Sequence, residues 1–180
     1  MDEFAAEPSE PNVDETIEAT PEMISSLMSR LSDKDGLVRE EARLSLVYIG
    51  EPAVVPLIKA LSDRRENLRW EAAGALSEIA APASVPALVE ALRDKVFDVR
   101  WLAAQGLIAI GREAVVPLLE ALMEYPDSVW LRQGAHHVLH DLEEDDLEET
   151  LEPVIAALES LDPAVEVQLA ARVALYRLKD

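Results

Sequence analysis

The imidazoles of the chain are His136, His137 and His140. His136 and His140 stand four residues apart, a spacing that sets two histidines on one helix face within reach of one metal ion. A site needs a third ligand, and the adjacent Asp141 points elsewhere. His136 also takes a place where the sequence otherwise puts alanine against a neighbouring helix, so no metal is expected. The chain has no cysteine, which removes disulfides, thiolate metal sites and thiol nucleophiles. It shows no glycine-rich phosphate loop, no nucleophile elbow and no convergent Ser, His and Asp set. Most of its carboxylates read as a solvated helical face. No catalytic residue and no cofactor is expected.

Thirty-six acidic residues against 16 basic ones give 180 residues a formal charge of −20. That field repels nucleic acid and anionic lipid, and favours a neutral or basic protein partner. The first twenty residues carry neither a basic n-region nor an apolar h-region, and no run approaches the roughly 20 apolar residues of a membrane span. A cytoplasmic protein that does not enter membranes is expected. Asp2, Glu3, Glu7, Glu10, Asp14, Glu15 and Glu18, with no basic residue nearby, make residues 1–21 a disordered acidic tail. The tail is read as a solvating terminus, with a lure for a basic partner as the alternative.

What must position any site is a helical array. Aromatic residues are 4% of the chain, and β-branched residues lack the alternation of strands. An apolar residue, then Arg, then Ala three residues on and Leu four beyond that recurs along the chain. Its copies are Val38-Arg39 with Ala42 and Leu46, Leu68-Arg69 with Ala72 and Leu76, and Val99-Arg100 with Ala103 and Leu107. Leu131-Arg132 with Ala135 and Leu139 follows, then Val167-Gln168 with Ala171 and Leu175. The steps between the Arg positions are 30, 31, 32 and 36 residues. Ahead of the later copies stands a proline segment around Pro56, Pro86, Pro117 and Pro153, with Ser26 in the first. Proline is at home in a first helical turn, so each is expected to start a helix. Gly50 and Gly111 are expected to close the longer helices.

These signals predict short A helices at 22–32, 53–62, 83–93, 114–124 and 150–160, and longer B helices at 36–49, 66–80, 97–110, 128–142 and 164–178. The fold class is all-α, a right-handed α-solenoid of five two-helix repeats over residues 22–180, at about 22–52, 53–82, 83–113, 114–149 and 150–180. One pair cannot bury its apolar face alone, whereas stacked pairs share one core.

The proline-bearing A helix, the Val-Arg pair and the Ala-Leu pattern together resemble HEAT-like repeats of the short, phycobilisome-lyase-like type. The resemblance implies that Asp33, Asp63, Asp94 and Asp162, each six residues before the Arg position, form an architectural ladder with those arginines, broken at Gln168. It implies a non-catalytic interaction scaffold or adaptor binding its partner on a concave face of B helices; the oligomeric state is left open with a monomer favoured, the weakly polar Leu169, Ala170 and Val173 of the fifth repeat offering a sticky end. The alternatives it leaves are a phycobilin lyase-like or bilin-binding accessory protein and a regulatory subunit of a larger enzyme. Metal-dependent hydroxylases of HEAT type rely on His-Glu pairs, and this chain has none.

Positions one, two, five and nine after the Arg resemble the family's variable concave strips. They give Glu40, Glu41, Leu44 and Tyr48; Trp70, Glu71, Gly74 and Glu78; Trp101, Leu102, Gln105 and Ala109; and Gln133, Gly134, His137 and Asp141. From these, Tyr48, Trp70, Glu71, Glu78, Trp101, Leu102, Gln105, His137 and Asp141 are expected to bind the partner. Trp70 and Trp101 would stand side by side at the centre, with the acidic residues as a charged rim. The stretch from Asp141 to Glu152, eight carboxylates in twelve residues, is either a docking loop for a basic partner or a solvated linker whose leucines pack beneath it.

Overall fold

The computed structural model describes residues 19–142 and 146–178. Most of the acidic tail expected over residues 1–21, and residues 143–145 of the acidic stretch, lie outside the described residues. Ten α-helices follow in order: α1 (Pro21–Arg30), α2 (Gly36–Ile49), α3 (Glu51–Ala60), α4 (Glu66–Ile79), α5 (Val85–Ala91), α6 (Phe97–Ile110), α7 (Val115–Glu124), α8 (Val129–Asp141), α9 (Glu148–Leu158) and α10 (Pro163–Arg177). Short 3-10 turns at Pro82–Ser84 and Gly111–Ala114 lead into α5 and α7, and no strand occurs among the described residues. The odd-numbered helices are the A helices of the sequence and the even-numbered ones the B helices. The fold is an all-α solenoid of the HEAT-repeat kind.

The helix ends follow local chemistry. Thr20 accepts the Met23 amide at 3.2 Å with Pro21 opening α1, and Asp35 and Ser128 cap α2 and α8 through the Leu37 and Leu131 amides. Such side chains satisfy amides that have no intrahelical partner. Gly50 and Gly111 close α2 and α6 with φ of 73° and 81°. At the same place after α4 stands Ala80 at φ 51°, a left-handed conformation that costs a Cβ-bearing residue roughly 1–2 kcal/mol. The prolines correct one expectation. Pro56 and Pro153 lie inside α3 and α9, because each helix begins a turn upstream, whereas at Pro86 and Pro117 the upstream turn is 3-10.

The repeated Ala and Leu make the core. Ala42, Ala72, Ala103, Ala135 and Ala171 are completely buried, as are Leu46, Leu76 and Leu107. From the A helices come Val54, Leu57, Val85, Leu88, Val115, Leu118 and Val154. A small residue on each B helix lets neighbouring helices approach closely, and the leucines fill the space between them.

The helices α2, α4, α6 and α8 pack side by side as one row, each also on its own A helix. The fifth pair breaks this order. There α9 packs on α8, while α10 packs on α7 and α9, and the Gln168 side-chain amide donates to the Met123 carbonyl of α7 at 3.0 Å. The expectation that α10 would continue the row of B helices is thus overturned. The added residues after α8 carry the chain across, with Leu147 and Leu151 buried, so α9 takes the next place in the B row and α10 in the A row.

Candidate functional site

The repeat arginines anchor the turns. Each sends Nη1 back to the carbonyl six residues earlier: Arg39 to Asp33 at 3.0 Å, Arg69 to Asp63 at 3.0 Å, Arg100 to Asp94 at 2.7 Å and Arg132 to Pro126. Among the described residues the expected carboxylate ladder has one rung between repeats, where Arg69 grips Asp94 at 2.6 and 3.0 Å. That carboxylate raises the Arg69 pKa above its ordinary value. Asp63 turns instead to Arg65, at 2.9 and 3.0 Å, and this hydrogen-bonded partner holds its carboxyl down at about 2.

Arg39 reaches Glu71 instead of Asp63. Glu71 is 2% exposed, accepts from Arg39 Nε at 3.0 Å and lies 3.4 Å from Arg43 Nε. Arg43 also pairs with Glu78. Expected on a charged rim, Glu71 is instead an internal tie between α2 and α4, because the second position after Arg faces the preceding B helix. Gly74 is buried for a related reason: a Cβ there would lie 3.4 Å from the Arg43 stem and 3.8 Å from Leu102 of α6. Leu102, Gln105 and His137 are half-buried along the same row, and the Gln105 amide and His137 Nε2 meet at 3.0 Å across α6 and α8.

The open residues among those expected at the site are Tyr48 at 88%, Trp101 at 47% and Trp70 at 37% exposed, with Glu78 and Asp141 exposed beside them. Trp101 does not pair with Trp70. Its indole stacks on His137, with centroids 4.8 Å apart and planes 15° apart, and on Phe97 at 6.5 Å. The Arg100 guanidinium lies 5.6 Å from the Phe97 ring and 4.8 Å from the Trp130 ring. Rings from α6 and α8 thereby form one surface, His137, Trp101, Phe97 and Trp130, with Arg100 wedged into it; Phe97 is 64% and Trp130 43% exposed.

Phe97 and Trp130 were missed by reasoning from the repeat, since they stand three residues before Arg100 and two before Arg132, where no pattern recurs. Their one sequence signal is that they are aromatic in a chain poor in aromatics. Trp130 also walls a cleft of about 460 Å³ whose floor is the Arg69 and Asp94 pair, with Glu90, Arg93 and Lys95 at its edge.

Residues 54–140 match the family model for HEAT repeats. Over that span the chain is similar to HEAT repeats. The match runs from α3 into α8 and takes in the whole aromatic surface. No curated protein matches the chain.

Other polar groups pair within and between the helices. His136 Nε2 lies 2.8 Å from Glu159, joining α8 to the end of α9. Contrary to the expectation that it points elsewhere, Asp141 lies 2.9 Å from His140 Nδ1, and that contact lowers the Asp141 pKa, with His137 adding to it. Among the described residues no group of three or more His, Asp or Glu side chains could hold a metal ion. No helix among them is long and apolar enough to cross a membrane.

Proposed function

We propose that this chain is a non-catalytic scaffold of the HEAT-like repeat kind that docks a protein partner on the row of B helices, centred on Trp101, Phe97 and Trp130. Trp70, Tyr48, Gln105, Leu102 and His137 extend the surface, and Glu78 and Asp141 edge it. HEAT repeats in general mediate protein interaction, and each repeat adds a strip to one continuous surface. The observation that carries the reading is the exposed run of rings on α6 and α8, held in place by stacking and by Arg100. Rigid, half-exposed aromatics supply large contact area at small cost in side-chain freedom, and they dominate binding energy where they occur. The −20 charge favours a neutral or basic partner. The repeat steps of 30 to 32 residues support the short, phycobilisome-lyase-like subtype.

The test is affinity capture from the protein's own host with the parent chain and with Trp101→Ala and Trp130→Ala, each first checked for helicity. We expect one protein to be retained stoichiometrically by the parent and lost, by tenfold or more in affinity, from the variants. Equal capture by parent and variants would refute the aromatic surface. A red-shifted absorbance on mixing with a linear tetrapyrrole would move the reading to a bilin-binding protein.

A further inference from the structure

On α10 one face is buried and the other is not. Val167, Ala171, Ala174 and Leu175 face α7 and α9, whereas Val165, Leu169, Val173 and Tyr176 are exposed. Their spacing of four, four and three residues sets them in a single lane. Leu161, just ahead of the helix, is also fully exposed, and Leu169 at the middle of the lane is 66% exposed. A contiguous apolar lane of this kind on an acidic surface marks a contact with another molecule.

Charge identifies the occupant. Among the ten helices α10 has an excess of basic over acidic residues, Arg172 and Arg177 against Glu166, while each of the others is balanced or acidic. It is therefore the helix at which two chains of charge −20 repel each other least. Its charges are also ordered along its length. Asp162 and Glu166 lie at the start and Arg172 and Arg177 at the end, and all four are exposed. A parallel pairing of two such helices sets like charge on like. An antiparallel pairing lays each acidic half along a basic half.

Head-to-tail stacking of copies does not meet these conditions. Extending the two rows would set α10 on α1, whose exposed residues, Pro21, Glu22, Met23, Ser25, Ser26 and Ser29, are mostly polar. It would also set α9, with Glu148, Glu149 and Glu152 exposed, on α2 with Glu40 and Glu41 exposed. Apolar would meet polar in one row, and acid would meet acid in the other.

We propose that α10 is a self-association surface, on which two copies of the chain pair antiparallel about a two-fold axis through Leu169. Leu169 meets its own counterpart there, Val165 and Val173 close the apolar contact on either side, and Asp162 lies beside Arg177 of the second copy. Such a pairing is isologous and closes at two subunits. One helix pair is at the small end of stable interfaces, so the dimer is weak, with Kd on the order of micromolar. The surface shares no residue with the aromatic one and stands independently of it.

Sedimentation velocity of the full chain from about 1 to 200 µM tests this, a range that brackets micromolar association. The expected result is a reversible shift from the monomer mass of 19.8 kDa to twice that value. Leu169→Glu, a change at an exposed helical position, should keep the circular dichroism spectrum and abolish the shift, while Trp101→Ala should leave it. Because the chain lacks cysteine, Leu169→Cys introduces a single thiol on the two-fold axis. Under mild oxidation it should cross-link to a covalent dimer at least tenfold faster than Tyr48→Cys. Asp162→Arg and Arg177→Asp should each weaken the dimer, and together restore it. A monomer throughout the range, association unaffected by Leu169→Glu, or species growing beyond the dimer would overturn the proposal.

Discussion

Truncating Glu71 should cost this protein more than removing any exposed carboxylate, although the sequence presents it as one acidic residue among many. In the parent its carboxylate sits between Arg39 at 3.0 Å and Arg43 at 3.4 Å, and it is 2% exposed. In Glu71→Ala both guanidinium groups lose that counter-charge. Breaking a buried pair by deleting one member costs about 3–5 kcal/mol. Here the arginines are about a fifth exposed, Arg39 keeps the Asp33 and Lys34 carbonyls, and Arg43 keeps Glu78. Those contacts bring the electrostatic loss to about 2 kcal/mol, and the vanished methylenes add about 1 kcal/mol. A total near 3 kcal/mol should lower Tm by about 6–12 °C in a chain of this size. Urea and thermal unfolding followed by circular dichroism measure the loss, with Glu71→Gln expected to be intermediate. A double-mutant cycle with Arg39→Ala should return a coupling of about 1–2 kcal/mol. Hydrogen exchange should show α2 losing protection before α6, since the tie joins α2 to α4. A Glu71→Ala variant within about 0.5 kcal/mol of the parent, or no coupling to Arg39, would refute the internal tie and return Glu71 to the solvent-facing rim.

Three further outcomes can be checked by the same unfolding measurements. Ala80→Gly should stabilise the protein by about 0.5–1 kcal/mol, since relief of the left-handed strain at φ 51° outweighs the extra chain entropy of glycine; a loss would show that the strain is absent. Gly106→Ala should destabilise by about 1–2 kcal/mol despite the better helix propensity of alanine, because the added Cβ would lie 3.2 Å from the Ser77 backbone and 3.0 Å from Leu88, where overpacking dominates. Asp63, held at about 2 against an ordinary 3.8, contributes stability that is present above the ordinary value and lost as pH falls toward 2. Asp63→Asn should therefore show a shallower decline than the parent between about pH 4 and 2, and equal slopes would exclude the Arg65 pairing as a source of acid sensitivity.

The solenoid was legible along the chain because its core is written as a local period. An alanine and a leucine at fixed distance from an arginine recur every 30 to 36 residues, and a helix whose small and large apolar residues fall on one face has only another helix to bury them against. Gly50 and Gly111 likewise announced helix ends of positive φ, since that need is carried by one residue. What a side chain meets across the repeat was not legible, because it depends on the neighbouring helix. Trp70 and Trp101 share a register position, yet Trp101 stacks on His137, the residue that α8 happens to bring within 4.8 Å. Glu71 and Leu102 share another, yet the glutamate is enclosed because α2 supplies Arg39 and Arg43 opposite it. The crossing of the fifth pair was invisible for the same reason. The longer 36-residue step records that residues were added, but only the burial of Leu147 and Leu151 and the packing of α10 on α7 decide which row each helix joins. Local periodicity determines the elements and their inward faces. The tertiary structure decides which charges and rings are left to face a partner.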